Sequence, residues 1–415
     1  MNQPSPSISG HMADITDLNS WLIEAGITGM PLLEMLTTYC EKLGEMGVPL
    51  FRAHVTLSAL HPNYGGLGFD WHFRDGPLRR EYAHSDDAQD DWVESPFFYM
   101  LSRGENEYRE RLIGTEPPSR FSLLRQMKEE GATDYYTAAA LFQDWPQDRP
   151  VTADDDVEGA LLSWTAFGAH GFSDAHLDVI QRTMPTLCLV LKSLSNREMA
   201  RDLLGVYLGK DAGRRVLAGK IQRGTTQWID AVICYFDLEG FTAMSQKIPG
   251  EELIETLNDY FGVIVGQIEA AGGNVLKFMG DGILAIFDRE VLSDASDRAI
   301  DVTMDLDAAM GTKNAERAAS GLPVMGYTMA VHKGPVLYGN MGGEERLDFT
   351  VIGPEVNLAA RISGMHKPLG QHVIISETVT QDAKSPHAEL VSLGRYMLRG
   401  VDRPQELFTL YSGAR

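Results

Sequence analysis

The sequence predicts an α+β protein built of more than one domain. Its 415 residues exceed an average domain of about 150 more than twofold. The first half mixes helical apolar spacing with runs that alternate every second residue. The second half, from Trp228 onward, follows the order β-α-β-β-α-β. Hydrophobic residues make up 44% and charged residues 23%, a globular balance that excludes wholesale disorder, collagen and coiled-coil rods.

Acids outnumber bases 58 to 36, giving a formal charge of −22. Such a chain is repelled by nucleic acid and by anionic lipid, so neither is expected as a partner. A site for an anionic ligand then needs its own cations, metal or backbone donors. Cys40, Cys188 and Cys234 each stand in an apolar stretch and are expected as buried free thiols, too few for a disulfide scaffold or a zinc site. No stretch approaches the roughly 18 apolar residues of a membrane span, and no signal peptide opens the chain. The expectation is a soluble, cytoplasmic protein.

Residues 1–14 are polar and rich in Pro and Ser and are expected as a disordered tail. "LNSWLIEAG" and "MPLLEMLTTYCEKLGEMG" follow with helical spacing, each ended by Gly. In "FRAHVTLSALH", Phe51, Ala53, Val55, Leu57 and Ala59 alternate with polar neighbours, as in a half-buried strand. "GFDWHFRDG" and "EGALLSWTAFG" read as further strands. "FSDAHLDVIQRTMPTLCLVLKSL" reads as a helix with Ser173 as N-cap and Asp174 in its first turn. Residues 15–195 thus form one domain, and the charged segment 196–222 a helical linker. His54, His61 and His72 lie close in sequence but fit no metal-ligand spacing, and His54 falls on the polar face of its strand, so solvated or capping roles are expected. Trp71, Tyr82, Trp92, Phe97, Phe98, Tyr99, Tyr135 and Tyr136 can line a pocket, although core filling is the commoner use of such residues.

The second domain, 223–415, opens on "WIDAVICYFD", a near-continuous apolar run expected of a strand covered on both faces. The helix "GEELIETLNDYFGVIVGQIEAAGG" has Leu253, Leu257, Phe261, Ile264 and Ile268 on one stripe and Gly272-Gly273 at its end. "NVLKFMGDGILAIFD" reads as a hairpin about an Asp-Gly turn. A helix is expected around 291–310, then "VMGYTMAVHKG" and "PVLYGNMG" as two strands about a Gly-Pro turn. "DFTVIG" leads into the helix "PEVNLAARISGM", with Pro354 in its first turn. The order is that of the split βαβ, ferredoxin-like theme.

Three motifs carry chemistry. In "FDLEGFT", Asp237 ends the buried strand, where a carboxylate can hold a hard divalent cation and the amides of Leu238, Glu239, Gly240, Phe241 and Thr242 can face an anion. In "LKFMGDG", Asp281 sits at a hairpin tip; if the two strands are adjacent, both aspartates can share two cations around a phosphate. In "TVIGPEVNLAAR", Asn357 and Arg361 lie four residues apart on one helical face. Singly, each has a plain explanation: turn chemistry, a cap, a solvated surface, and for Lys277 an exposed edge charge. They nonetheless occur in the order that one chemistry requires.

"AVICYFDLEGFT", "GGNVLKFMGDGILAIF" and "DFTVIGPEVNLAARI" together resemble the catalytic domain of class III adenylate/guanylate cyclases over about residues 224–412. The resemblance implies that Asp237 and Asp281 bind two Mg²⁺ or Mn²⁺ ions, and that Asn357 and Arg361 act on the transition state. It implies that Lys277 selects the purine together with Thr350, a Lys/Thr pair like that of bicarbonate-responsive soluble adenylate cyclases. Arg399 in "YMLRGVDRP" falls where the family carries a triphosphate-binding lysine. The implied function is conversion of ATP to 3′,5′-cyclic AMP and pyrophosphate at sites shared by a homodimer; guanylate cyclase and a non-catalytic nucleotide-binding regulator are the alternatives. Lys277 can only donate and the Thr350 hydroxyl can accept, which matches adenine, whereas guanine leaves donors unpaired at a cost of about 1–3 kcal/mol. Residues 15–195 resemble GAF-type sensor domains in element order, which implies a regulatory unit with a possible small-molecule effector.

Overall fold

The computed structural model describes residues 8–58, 64–82, 92–114, 117–142, 150–152, 155, 157–384 and 390–411. The chain divides into two compact units, Met1–Leu203 and Leu204–Arg415.

In the first unit, helices α1 (Ile8–Thr28) and α2 (Leu32–Glu45) precede strands β1 (Leu50–Ser58), β2 (Gly66–His72) and β3 (Gly76–Tyr82). Helix α3 (Pro96–Leu101), β4 (Glu107–Arg111), α4 (Ser122–Glu129), β5 (Asp134–Leu141), β6 (Gly159–Ala166) and α5 (Asp174–Leu208) complete it. The strands form one antiparallel sheet in the order β3-β2-β1-β6-β5-β4. Alternation along each strand divides the side chains between two faces. Tyr136, Ala138 and Trp164 pack with Leu22, Met35, Tyr39 and Leu187 of α1, α2 and α5. Phe51 and Tyr135 point the other way, toward Leu124 and Met127 of α4. The three cysteines are buried and free.

Several expectations change here. Helix α1 starts at Ile8, so the expected tail 1–14 is helical over its second half, and residues 1–7 lie outside the described residues, as do Ala59 and His61. The helix capped by Ser173, whose Oγ accepts from the His176 amide at 3.3 Å, continues to Leu208 with no break at 196. His54 is neither solvated nor capping. It is buried, bonded to Asp70 (3.0 Å) and to Thr56 (2.6 Å), because β2 places a carboxylate opposite it.

The second unit holds α6 (Lys210–Leu217), β7 (Thr226–Glu239), α7 (Phe241–Met244), α8 (Gly250–Ala270), β8 (Asn274–Met279) and β9 (Gly282–Asp288). These are followed by α9 (Ala295–Ala319), β10 (Gly326–Gly342), β11 (Leu347–Ile352), α10 (Pro354–Ser363) and α11 (His366–Leu369). The last elements are β12 (Val373–Ser376), α12 (Glu377–Asp382), β13 (Leu390–Tyr396) and β14 (Gln405–Leu410). The sheet runs β13-β14-β12-β10-β7-β9-β8, with β11 added to β10. Within it, β7-α8-β8-β9-α9-β10 is the expected β-α-β-β-α-β unit. Tyr260, Ile264 and Ile268 of α8 and Ile300 and Leu306 of α9 cover one face, against Cys234, Phe236 and Phe287. On the other face Phe349 and Val351 of β11 and Val356 and Ala359 of α10 cover Ile229, Ala231, Ile233 and Leu284. Burial on both sides explains the unbroken apolar run of β7.

The expected Gly-Pro turn at Gly334-Pro335 is absent. β10 is a single strand paired with β7 throughout, with Gly334 opposite Ala231 and Pro335 opposite Asp230. On its other edge β12 pairs only with Met329–Val331 and β11 only from Leu337 onward. Pro335 lies in the gap between those partners, where its missing N–H removes no ladder bond. Gly334 lacks the Cβ that would meet the Glu355 side chain at 2.5 Å, which lets α10 close on the strand.

Candidate active site

β7 and β9 pair antiparallel with Asp237 opposite Gly282, which sets Asp237 beside the β8–β9 turn that carries Asp281. The Leu238 amide donates to the Asp281 carbonyl (3.1 Å) and ties the two segments together. A side chain at Gly282 would stand 3.3 Å from Asp237 Oδ1, so glycine leaves the carboxylate room. Gly280, with φ +68°, makes the tight turn possible, and Gly240, with φ +89°, turns the chain from β7 into α7. Partial burial, then the charges of Asp281 and Glu239, push the Asp237 carboxyl above its ordinary range. Among the described residues no ion pair involves either aspartate. Two like charges held together without a counter-ion, in a chain rich in acid, fit a hard cation with oxygen ligands. The expected amide cradle is smaller than its five residues: the Leu238 N–H is spent on Asp281, and its side chain lies in the core.

Lys277 lies four residues before Asp281 but is directed elsewhere. The β8–β9 register shifts between Val275 and Lys277, so Lys277 stands opposite Leu284, on the face covered by β11 and α10. Such a bulge re-aims a side chain. Its Nζ meets Asp348 Oδ2 of β11 at 3.2 Å. Thr350, two residues on, is 6% exposed, and its Oγ1 is buried without a hydrogen-bond partner. β11 thus carries both the Lys277 partner Asp348, which sequence reasoning missed, and Thr350 two residues on. The available signal was the i, i+2 spacing of Asp348 and Thr350 in "DFTVIG", which puts both on one side of a strand.

Asn357 and Arg361 are exposed on α10. The helix is fastened at its first turn: buried His332 of β10 bonds Glu355 Oε2 (2.7 Å) and Ser376 Oγ (2.8 Å). Burial lowers the His332 pKa, against the opposing pull of Glu355. Arg361 Nη1 donates to the Gly400 carbonyl (3.0 Å), which brings exposed Arg399 alongside it in the chain. Leu398 buries against Leu358 and Ile362 and holds that segment down.

Residues 225–412 match the family described as the adenylate and guanylate cyclase catalytic domain. The second unit carries a cyclase catalytic domain. An adenylate cyclase of Anabaena cylindrica is 33% identical to the chain over 183 residues, 44% of this chain and 35% of its own length. An uncharacterized protein of Mycobacterium tuberculosis is 31% identical over 239 residues, 57% of this chain and 40% of its own. The chain thus spans between a third and two fifths of the length of these curated relatives. Among solved structures, the adenylyl cyclase CyaB from P. aeruginosa is similar at 24% identity and TM-score 0.42, covering 46% of this chain and 97% of that one. The guanylyl cyclase Cya2 is similar at 30% identity and TM-score 0.39, covering 45% and 93%. Among the described residues no helix is long and apolar enough to cross a membrane.

Proposed function

We propose that the chain is an adenylate cyclase that works as a homodimer, closing ATP to 3′,5′-cyclic AMP with release of pyrophosphate. The observation that carries this is the pair Asp237 and Asp281, joined across β7–β9 and, among the described residues, without a basic side chain paired to either. Asp237 and Asp281 would hold two magnesium or manganese ions, which when bound supply positive charge to the triphosphate and acidify the ribose hydroxyl. Lys277 donates to adenine N1, and the Thr350 hydroxyl accepts from the 6-amino group. Asn357 orients the ribose. Arg361 offsets the charge that develops on the α-phosphoryl while the 3′-oxygen bonds to phosphorus and the bridge to the β-phosphate breaks. Arg399 and the amides from Glu239 to Thr242 receive the outer phosphates.

The aspartates of one copy meet Lys277, Thr350, Asn357 and Arg361 of the other. Supporting this, Lys277 pairs with Asp348 rather than with Asp281, and Arg361 is bound to its own Gly400 carbonyl. Helix α5 begins in the first unit and its last residues, from Leu204, belong to the second, which supports a GAF-like sensor acting on the cyclase through that helix.

The test is product formation from ATP and from GTP with Mg²⁺ or Mn²⁺. Folded protein that yields no cyclic AMP with either metal refutes the activity, and faster turnover of GTP refutes the base assignment. Asp281→Ala and Asn357→Ala should each be inactive alone. Mixed, random pairing makes half the dimers mixed, each with one of two sites intact, so about a quarter of wild-type activity returns. No recovery refutes the shared site.

A further inference from the structure

The first unit carries a second candidate binding site, one that is independent of the cyclase chemistry. Its sheet is sealed by α1, α2 and α5 on one face, but the other face, under α3 and α4, borders a cavity of about 1250 Å³. That exceeds the roughly 300–1,000 Å³ of ordinary small-molecule sites. Phe97, Met127, Tyr135 and Leu161 make up apolar parts of its lining. Strands β1, β2 and β3 contribute a cluster of charge. Asp70, 7% exposed, accepts from Arg52 Nε (2.8 Å), His54 Nδ1 (3.0 Å) and Arg80 Nε (2.9 Å). Burial alone would raise its carboxyl, yet His54 and then Arg52 hold it well below the usual carboxylate range.

Two guanidiniums on one buried carboxylate leave one positive charge over. Each guanidinium has five N–H donors, and most of those on Arg52 and Arg80 are not spent on Asp70. Among the described residues the lining also carries Arg74 and the acids Asp75, Glu130 and Asp155, and none of these acids forms an ion pair with Arg52 or Arg80. Asp75 is 83% exposed and paired with His72, Glu130 is exposed, and Asp155 accepts from Thr152. A core that needed only packing would not hold the largely buried side chain of Arg52 beside this volume.

We propose that this cavity binds a small organic anion, a carboxylate, sulfonate or phosphate on an apolar, ring-sized body, with Arg80 and Arg52 receiving the anionic head. Charge-assisted bonds from a planar fork suit such a head, and the aromatic and aliphatic lining suits the body.

The probe is 8-anilinonaphthalene-1-sulfonate, an aromatic sulfonate that fluoresces in apolar surroundings, compared with its uncharged relative N-phenyl-1-naphthylamine, both titrated into the full chain. The sulfonate should bind saturably. Arg80→Gln, at a half-exposed side chain, should weaken it about tenfold while the uncharged dye stays within twofold. Leu161→Trp, which sets a bulky ring into the apolar lining, should weaken both dyes, with circular dichroism confirming that each variant is folded. Absence of saturable sulfonate binding, equal weakening of both dyes by Arg80→Gln, or indifference of both dyes to Leu161→Trp would each overturn the proposal.

Discussion

Thr350→Val separates the two things that residue does. In the free chain its hydroxyl is buried without a partner, a defect that costs about 1–3 kcal/mol. Valine keeps the branched shape and the strand preference and removes the stranded oxygen. Taking the lower end, because β11 lies at one edge of the sheet, the variant should gain about 1 kcal/mol. For a unit running from Leu204 to Arg415, that raises the thermal midpoint by about 2–4 °C. The same change deletes the acceptor for the adenine amino group, so KM for ATP should rise about tenfold, with GTP affected less. Differential scanning fluorimetry of the nucleotide-free protein and initial rates with both nucleotides read the two effects. A lower midpoint would mean that the hydroxyl has a partner after all. A higher midpoint with unchanged KM would make Thr350 a core residue and remove it from base selection.

Three further outcomes follow from the same geometry. Asp348→Asn releases the Lys277 ammonium from an exposed pair worth under about 1 kcal/mol, so the preference for ATP over GTP in kcat/KM should fall by up to about fivefold with kcat retained; an unchanged ratio would leave Asp348 without a role. His332 is buried with a pKa below its ordinary 6.5, so the unfolded chain takes up the proton first and stability falls as pH drops below about 6.5. His332→Gln should flatten that part of the pH profile of the thermal midpoint, and a profile identical to wild type would contradict the assignment. Inserting two alanines after Arg201 turns the distal end of α5 by about 200°, which should change cyclic AMP output at least severalfold if the helix relays a signal; unaltered output would remove α5 from regulation.

Local chemistry was legible wherever a few adjacent residues decide the outcome. The doubly covered strand β7, the amphipathic α8 and the Asp-Gly hairpin all stood in the sequence, because apolar period and turn residues act over a handful of positions. β3 and β4 did not, since edge strands rich in charge, such as "GPLRREY" and "EYRER", carry no apolar alternation and are marked only by the partner they pair with.

The amino-acid sequence by itself determined that the second unit carries one carboxylate near the end of a strand, a second in a hairpin turn and an Asn–Arg helix in a fixed order, since each depends on spacing along the chain. Tertiary structure decided the rest. Pro335 lies within a strand because the neighbouring edge is unpaired there, and Lys277 faces Asp348 because of a bulge in β8. His54 is buried because Asp70 on the neighbouring strand β2 bonds it, a carboxylate that is itself held by Arg80 of β3, and the Thr350 hydroxyl is buried by the fold around β11. Charge compensation and burial are properties of neighbours distant in sequence, and only folding brings those neighbours together.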